Sequence, residues 1–278
     1  MVPVHTWLPD AAEQATPGAS TLLVGLLDKI GTLGMIRICL GLFPQASQWA
    51  TPFVLVLAVI SVLWGATMAV TSKDLMRLVS YTSVSHFGFM IIGIFAVTTT
   101  SLTGSIFYMF NHGFSTAALF LVLGFLVKRR GSAQIDAFGG VQKTAPVLAG
   151  MFLFAGLATM SLPGISNFIG EFMVLAGAWS RHPVYVAVAT LGMVLGAVYI
   201  LLTYKRTMTG PLTQATKEHV TTDLTGLEKA ALTPLVILLL VFGFFPRPML
   251  HVIEPVAHQT MSIVGVTDPA PAAEEGVK

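Results

Sequence analysis

The chain holds a single cysteine, Cys39, among its 278 residues. That excludes an internal disulfide and a cysteine-rich metal site, and Cys39 reads as a small buried residue. Charge is scarce too: Asp, Glu, Lys and Arg make up 10% of the chain, against about 25% in a soluble domain. The polar surface that water requires is missing, and a net charge of +2 is too small to argue for a nucleic-acid partner. There is no glycine-rich nucleotide loop, no Walker sequence and no Cys cluster, so nothing suggests redox chemistry inside this chain. The start, Met1-Val2-Pro3-Val4-His5-Thr6-Trp7-Leu8-Pro9, lacks the basic and apolar regions of a signal peptide. Its prolines and Trp7 resemble the exit from an earlier membrane element, so we expect the C-terminal portion of something longer.

What is present is apolar. Hydrophobic residues form 54% of the sequence and the mean hydropathy is +0.79, which makes this an all-α integral membrane protein. At about 20 residues per spanning helix, six or seven spans fit. Asp10 and Glu13 suit the first turn of a short helix, which Pro17-Gly18 ends. Ser20 to Phe43 reads as a first span and Pro44 to Pro52 as a loop. Further spans are expected at 53–70, at about 75–97 and, after a polar loop around Thr98–Thr103, at 104–127. The segment from Ala145 to Trp179 is too long for one crossing: as a single helix it would measure about 52 Å against a hydrocarbon core of about 30 Å. Leu162-Pro163-Gly164 sits in its middle, and proline removes a donor while restraining its predecessor. The expectation is a broken helix, about 145–161 and 168–180, of the kind that marks transport sites. Spans at 183–202 and 230–245 follow. The expected organisation is a short segment over 1–17, a transmembrane domain over 18–246 and a partly disordered tail over 247–278, with disorder from Thr267 on.

Lysine and arginine in the loops set the orientation. Lys73, Arg77, Lys128, Arg129, Arg130, Lys143, Lys205, Arg206, Lys217 and Lys229 fall on one side, and Arg181, Arg247 and Lys278 on the other. The first side is expected to be cytoplasmic and the C-terminal tail outside.

Four ionisable residues lie deep in these apolar stretches: Lys29, His86, His112 and Glu171. A charge at the bilayer centre costs at least about 2.5–3.5 kcal/mol on insertion scales, so such residues face protein or water. Each has a bland reading and a functional one. Lys29 is either half of a neutralised pair with Asp28 or a desolvated lysine able to exchange protons. Asp28, adjacent in sequence, is expected to point to another face; Arg37 is expected to snorkel. His86 shares a helix face with Thr82 and Ser83 and is either a satisfied core residue or a station on a water wire. His112 repeats the arrangement with Tyr108, Ser115 and Thr116. Metal is the rival reading for the histidines, but no spacing supplies a third ligand. Glu171, just past the Pro163-Gly164 break, is either a first-turn carboxylate or a terminal proton donor or acceptor.

These stretches resemble a known family. Val2–Ala11, Leu26-Leu27-Asp28-Lys29-Ile30-Gly31, and Leu75-Met76-Arg77-Leu78 followed by Tyr81–His86 are similar to the antiporter-like subunits of respiratory complex I. Among them the M-type matches best, through Pro163-Gly164, Asn167-Phe168 and Gly170-Glu171-Phe172. The resemblance covers nearly the whole chain and implies the second of two inverted five-helix repeats, with one broken helix. It also implies that Lys29 is a central lysine, that His86 and His112 are linking residues, and that Glu171 faces the exit or the next subunit. The family's other key lysine and its glutamate partner precede this chain, and Asp28 stands where many members are apolar. The resemblance further implies L-type and N-type antiporter-like neighbours in the inner (plasma) membrane. NADH, FMN, iron–sulfur clusters and quinone would be bound by other subunits, with no cofactor in this chain. A cation/proton exchanger of the Mrp type, which shares the fold, and a truncated product that only packs in the membrane are the competing expectations.

Overall fold

In the computed structural model the described residues are 1–268. Helix α1 covers Trp7–Gln14 and α2 Pro17–Leu22. Pro17 therefore starts α2 rather than ending a helix: its missing N–H is no loss at a first helical position, and the Thr16 hydroxyl caps the turn. A π-helical turn, Leu23–Leu27, leads into α3 (Lys29–Gly34), and a second, Met35–Leu40, follows.

Helix α4 runs over Pro44–Thr71, so the loop expected at Pro44–Pro52 is helical. Pro44 occupies the first turn, and Pro52, inside the helix, is tolerated as prolines in membrane helices are when neighbours re-satisfy the backbone. Next come α5 (Leu75–Phe95), capped by Asp74, and α6 (Thr99–Arg130), capped by Thr98. The polar run at 99–103 is thus the first turn of α6 rather than a loop; its Ser and Thr residues serve as cap and core contacts. Gly131, in the left-handed region at φ 71°, closes α6. Two short 3₁₀ turns, Ile135–Ala137 and Val141–Lys143, precede α7 (Pro146–Thr159) and α8 (Ser166–Trp179). These two are the halves of the expected broken helix. The remaining helices are α9 (Pro183–Met208), α10 (Gln214–His219), α11 (Gly226–Phe244) and α12 (Arg247–Val264). Among the described residues there is no strand, only an isolated bridge between Asp74 and Gln134.

Residues 247–264, expected as tail, form the amphipathic α12, with Ile253, Ala257, Met261 and Val264 buried. Its C-terminal end is anchored beside the start of α4, where Gln48 Nε2 donates to the Val264 carbonyl at 2.7 Å. The Asp268 carboxylate accepts from the Thr99 N–H at 2.8 Å. Of the disorder expected from Thr267 on, residues 269–278 lie outside the described residues.

Five helices, α4, α5, α6, α9 and α11, are long and apolar enough to cross a membrane. Helix α5 is buried on nearly every face, the pattern of a helix at the centre of a bundle. Small residues let its neighbours approach it closely, as in membrane helix packing. A Cβ built on Gly65 of α4 would sit 2.6 Å from the Ser85 nitrogen, and one on Gly88 of α5 2.6 Å from the Ala58 carbonyl. At the rim, Val56, Ile60 and Trp64 on α4 and Leu191, Val194 and Val198 on α9 are exposed, which suits contact with lipid. At one end of the bundle, Arg129 makes a bidentate pair with Glu228, at 2.8 and 2.6 Å, and donates to the Asp223 and Thr222 carbonyls.

Candidate functional site: a buried protonatable line

Lys29 opens α3 directly after a π turn, a register in which the Asp28 N–H reaches back to the Leu23 carbonyl at 3.1 Å. The wider turn changes the angular spacing of side chains, and Asp28 comes to the same side as Lys29. The expectation that Asp28 points to another face is therefore incorrect: its Oδ1 lies 2.9 Å from Lys29 Nζ, and both side chains are buried. The ammonium donates to the Val24 carbonyl and lies 5.3 Å from the centre of the Phe87 ring, within cation–π range.

The far edge of Phe87 meets His112, the ring centres 6.2 Å apart, and His112 in turn lies 5.1 Å from His86. Both histidines are buried. His86 has a hydroxyl at each ring nitrogen: Tyr108 from α6 at Nδ1 and Tyr199 from α9 at Nε2, at 3.1 Å. A neutral imidazole offers one donor and one acceptor, so one tyrosine donates to the ring and the other accepts from it. The Tyr108 hydroxyl also lies 3.4 Å from Glu171 Oε2, so a single phenol bridges the histidine and the carboxylate.

Glu171 is buried on α8, just past the break, and accepts from the Ser161 hydroxyl inside it. Ser161 adopts a positive φ of 57° and Gly164 one of 94°, while Pro163 has no N–H to leave unpaired. A non-glycine residue in that region costs of order 1 kcal/mol and persists where surroundings over-determine it; the bond to Glu171 supplies one such constraint. The break is further tied to the histidines, because Asn167 Nδ2 donates to Ser115 Oγ at 2.8 Å and Ser115 donates to the His112 carbonyl at 3.2 Å. Thr116 lies 3.2 Å from His112 Nε2.

The structure thus brings His112, His86, Tyr108 and Glu171 into one sequence of contacts, with Phe87 standing between Lys29 and His112. Two expected supporting residues stand apart from it. The Thr82 hydroxyl donates to the Val79 carbonyl at 2.7 Å, and Ser83 Oγ is buried without a protein partner. Tyrosines, not these hydroxyls, flank His86. Sequence reasoning missed Tyr199 and Ser161. Tyr199 heads a buried stripe with Thr203 and Thr207 on α9, a signal that could have found it. Ser161 is one hydroxyl residue among many, and only the fold of the break brings it to Glu171. Ser83, Thr103, Ser166, Asn111 and Asn167 each keep a buried side-chain N or O atom without a partner, and such atoms call for bound water.

A family of transmembrane segments described as NADH:quinone oxidoreductase/Mrp antiporter matches residues 1–196. The chain is 49% identical over 275 residues to NADH-quinone oxidoreductase subunit M of Mycobacterium tuberculosis, covering 99% of this chain and 49% of that one. It is 40% identical over 252 residues to subunit M of Rickettsia prowazekii, covering 91% and 51%. The chain therefore spans about half the length of the curated relatives it matches. A chain of respiratory complex I from Thermus thermophilus with bound NADH superposes with a TM-score of 0.87 at 32% identity, over 95% of this chain and 56% of that one. The Mrp complex of a Dietzia species gives 0.83 at 22% identity, over 95% and 58%, a likeness of fold alone. With that family's model matching residues 1–196, the chain belongs to the NADH:quinone oxidoreductase/Mrp antiporter transmembrane family.

Proposed function

We propose that this chain is a proton-translocating part of the membrane arm of an NADH:quinone oxidoreductase, moving protons along Lys29, His112, His86, Tyr108 and Glu171 while electrons pass through other subunits. The observation that carries this is the Tyr108 hydroxyl, which touches both His86 and Glu171 and so joins a helix break to a histidine pair in the core. Lys29 holds the central charge. His86 and His112 relay, since imidazole takes a proton on one nitrogen and releases it from the other. Glu171 is the terminal group, where α7 and α8 separate. Phe87 stands between Lys29 and His112, so transfer there requires water beside the ring. The break at 160–165 gives Glu171 a place to exchange with an exit or with the next subunit.

In this reading the composite segments, α2 with α3 and α7 with α8, complete two crossings beyond the five long helices. The basic loops lie in the cytoplasm, the end bearing α12 lies outside, and the membrane is the plasma membrane. Further antiporter-like subunits of the L and N types flank this one. The exchanger reading is less favoured, because 49% identity to a subunit M stands against 22% to an Mrp chain. A native gel of mildly solubilised membranes, with mass analysis of the band, tests the assignment. NADH dehydrogenase subunits in that band are expected, and an exchanger assembly without them would overturn it. Within the complex, Lys29→Ala is expected to abolish most NADH-driven proton uptake; normal uptake would remove Lys29 from the path.

A further inference from the structure

Beside Lys29, the line described above leaves two titratable groups unused, Asp28 and His5. The Asp28 side chain is only 7% exposed. Its Oδ1 is paired with Lys29 Nζ at 2.9 Å, while Oδ2 has no protein partner. His5 is 8% exposed, and its Nδ1 has no partner. Both residues line the same pocket, of about 150 Å³, together with Thr32, Phe87 and Trp7. Each of these atoms, left dry, would carry a desolvation penalty of about 1–3 kcal/mol. The pocket is polar at these points and roomy: at about 30 Å³ per molecule it holds roughly five waters.

We propose that this pocket is a hydrated proton-binding site, a second branch that meets Lys29 from the α1 side through Asp28 and ends at His5. The inference rests on the reading of Lys29 as a proton carrier. The step balances without an added reactant. A proton leaves Lys29 Nζ and bonds to Asp28 Oδ1, giving a neutral amine and a neutral carboxylic acid. The acid passes its proton to the water chain, which delivers one to His5 Nδ1 as the carboxylate re-forms; loading runs the same way in reverse. Water is the ligand that the site takes, and the hydronium it carries is held by the Asp28 carboxylate. The long Lys29 stem, folded back so that its ammonium also reaches the Val24 carbonyl, brings Nζ to the adjacent Asp28 carboxylate.

The test uses the full-length subunit in its assembled complex, in membrane vesicles, with NADH-driven proton uptake measured per NADH oxidised. Asp28→Asn and His5→Gln, each checked for normal assembly on a native gel, are expected to lower uptake about tenfold and by a smaller factor respectively. Tenfold is the effect of shifting the Lys29 equilibrium by one pK unit. Asp28→Glu is expected to restore most of the loss, and infrared difference spectra during turnover to show a carboxylic-acid band that Asp28→Asn removes. Should Lys29→Ala abolish uptake while Asp28→Asn and His5→Gln pump normally, the branch is refuted and the relay stands. Should Lys29→Ala itself pump normally, both fall. An Asp28→Asn loss with no change in the infrared spectrum, and no rescue by Glu, would mark Asp28 as a structural counter-ion and overturn the branch.

Discussion

Replacing Tyr199 by Phe removes one oxygen from the core and leaves the ring that fills the space. In the structure that oxygen lies 3.1 Å from His86 Nε2, and both groups are buried. Without it the Nε2 atom has no protein partner, while Nδ1 keeps Tyr108. A buried polar atom left unsatisfied costs about 1–3 kcal/mol. If that penalty falls on the step that moves a proton through His86, the step slows by about 5- to 150-fold. The folded state carries the same penalty of about 1–3 kcal/mol, which the remaining packing of α9 must absorb. The assay is the initial rate of NADH-driven proton uptake in vesicles carrying the full-length variant subunit, with assembly checked on a native gel. Tyr204→Phe on the same helix is the control, since Tyr204 packs against Phe152, 5.8 Å between ring centres, away from the histidines. We expect Tyr199→Phe to fall by the stated factor and Tyr204→Phe to match the parent. Equal rates for the two would show that the second hydroxyl of His86 plays no part in transfer and would refute the reasoning.

Two further substitutions test the scaffold. A Cβ on Gly170 would lie 2.7 Å from the Cβ of Tyr108 and 2.9 Å from its nitrogen, so Gly170→Ala drives α8 away from α6. Overpacking of this kind costs about 1–3 kcal/mol, and proton uptake should fall further than assembly does, because the displaced contact is the one between Tyr108 and Glu171. Arg129→Ala leaves Glu228 only its bonds to Thr225 at a partly buried site where the side chains are 10% and 15% exposed. Losing hydrogen bonds to a charged group costs about 1.5–3 kcal/mol, so the thermal midpoint of the complex should drop. Arg129→Ala with Glu228→Leu should recover part of the loss, and no recovery would point to the carbonyls of Thr222 and Asp223 as the contacts that matter.

The broken helix was legible because Pro163-Gly164 interrupts an apolar run too long for one crossing. Buried Lys29, His86, His112 and Glu171 were legible because an ionisable group in a span must face protein. What was not legible depended on backbone register and on distant partners. The placement of Asp28 follows from the π turn before it, and periodicity arguments assume 3.6 residues per turn. Tyr199 and Ser161 become neighbours of His86 and Glu171 only through the packing of α9 and the conformation of the break. Pro44 and the run at 99–103 were taken for loops because prolines and hydroxyls in first turns resemble loop residues when read without the helix behind them.

The most direct measurement is the number of protons taken up per NADH oxidised by complexes carrying Glu171→Gln in the full-length subunit. Glutamine keeps an oxygen that can accept from Ser161 and Tyr108 but cannot take up or release the proton, so assembly should match the parent. The account predicts that this ratio falls while NADH oxidation continues. An unchanged ratio in fully assembled complexes would contradict the claim that protons travel through Glu171.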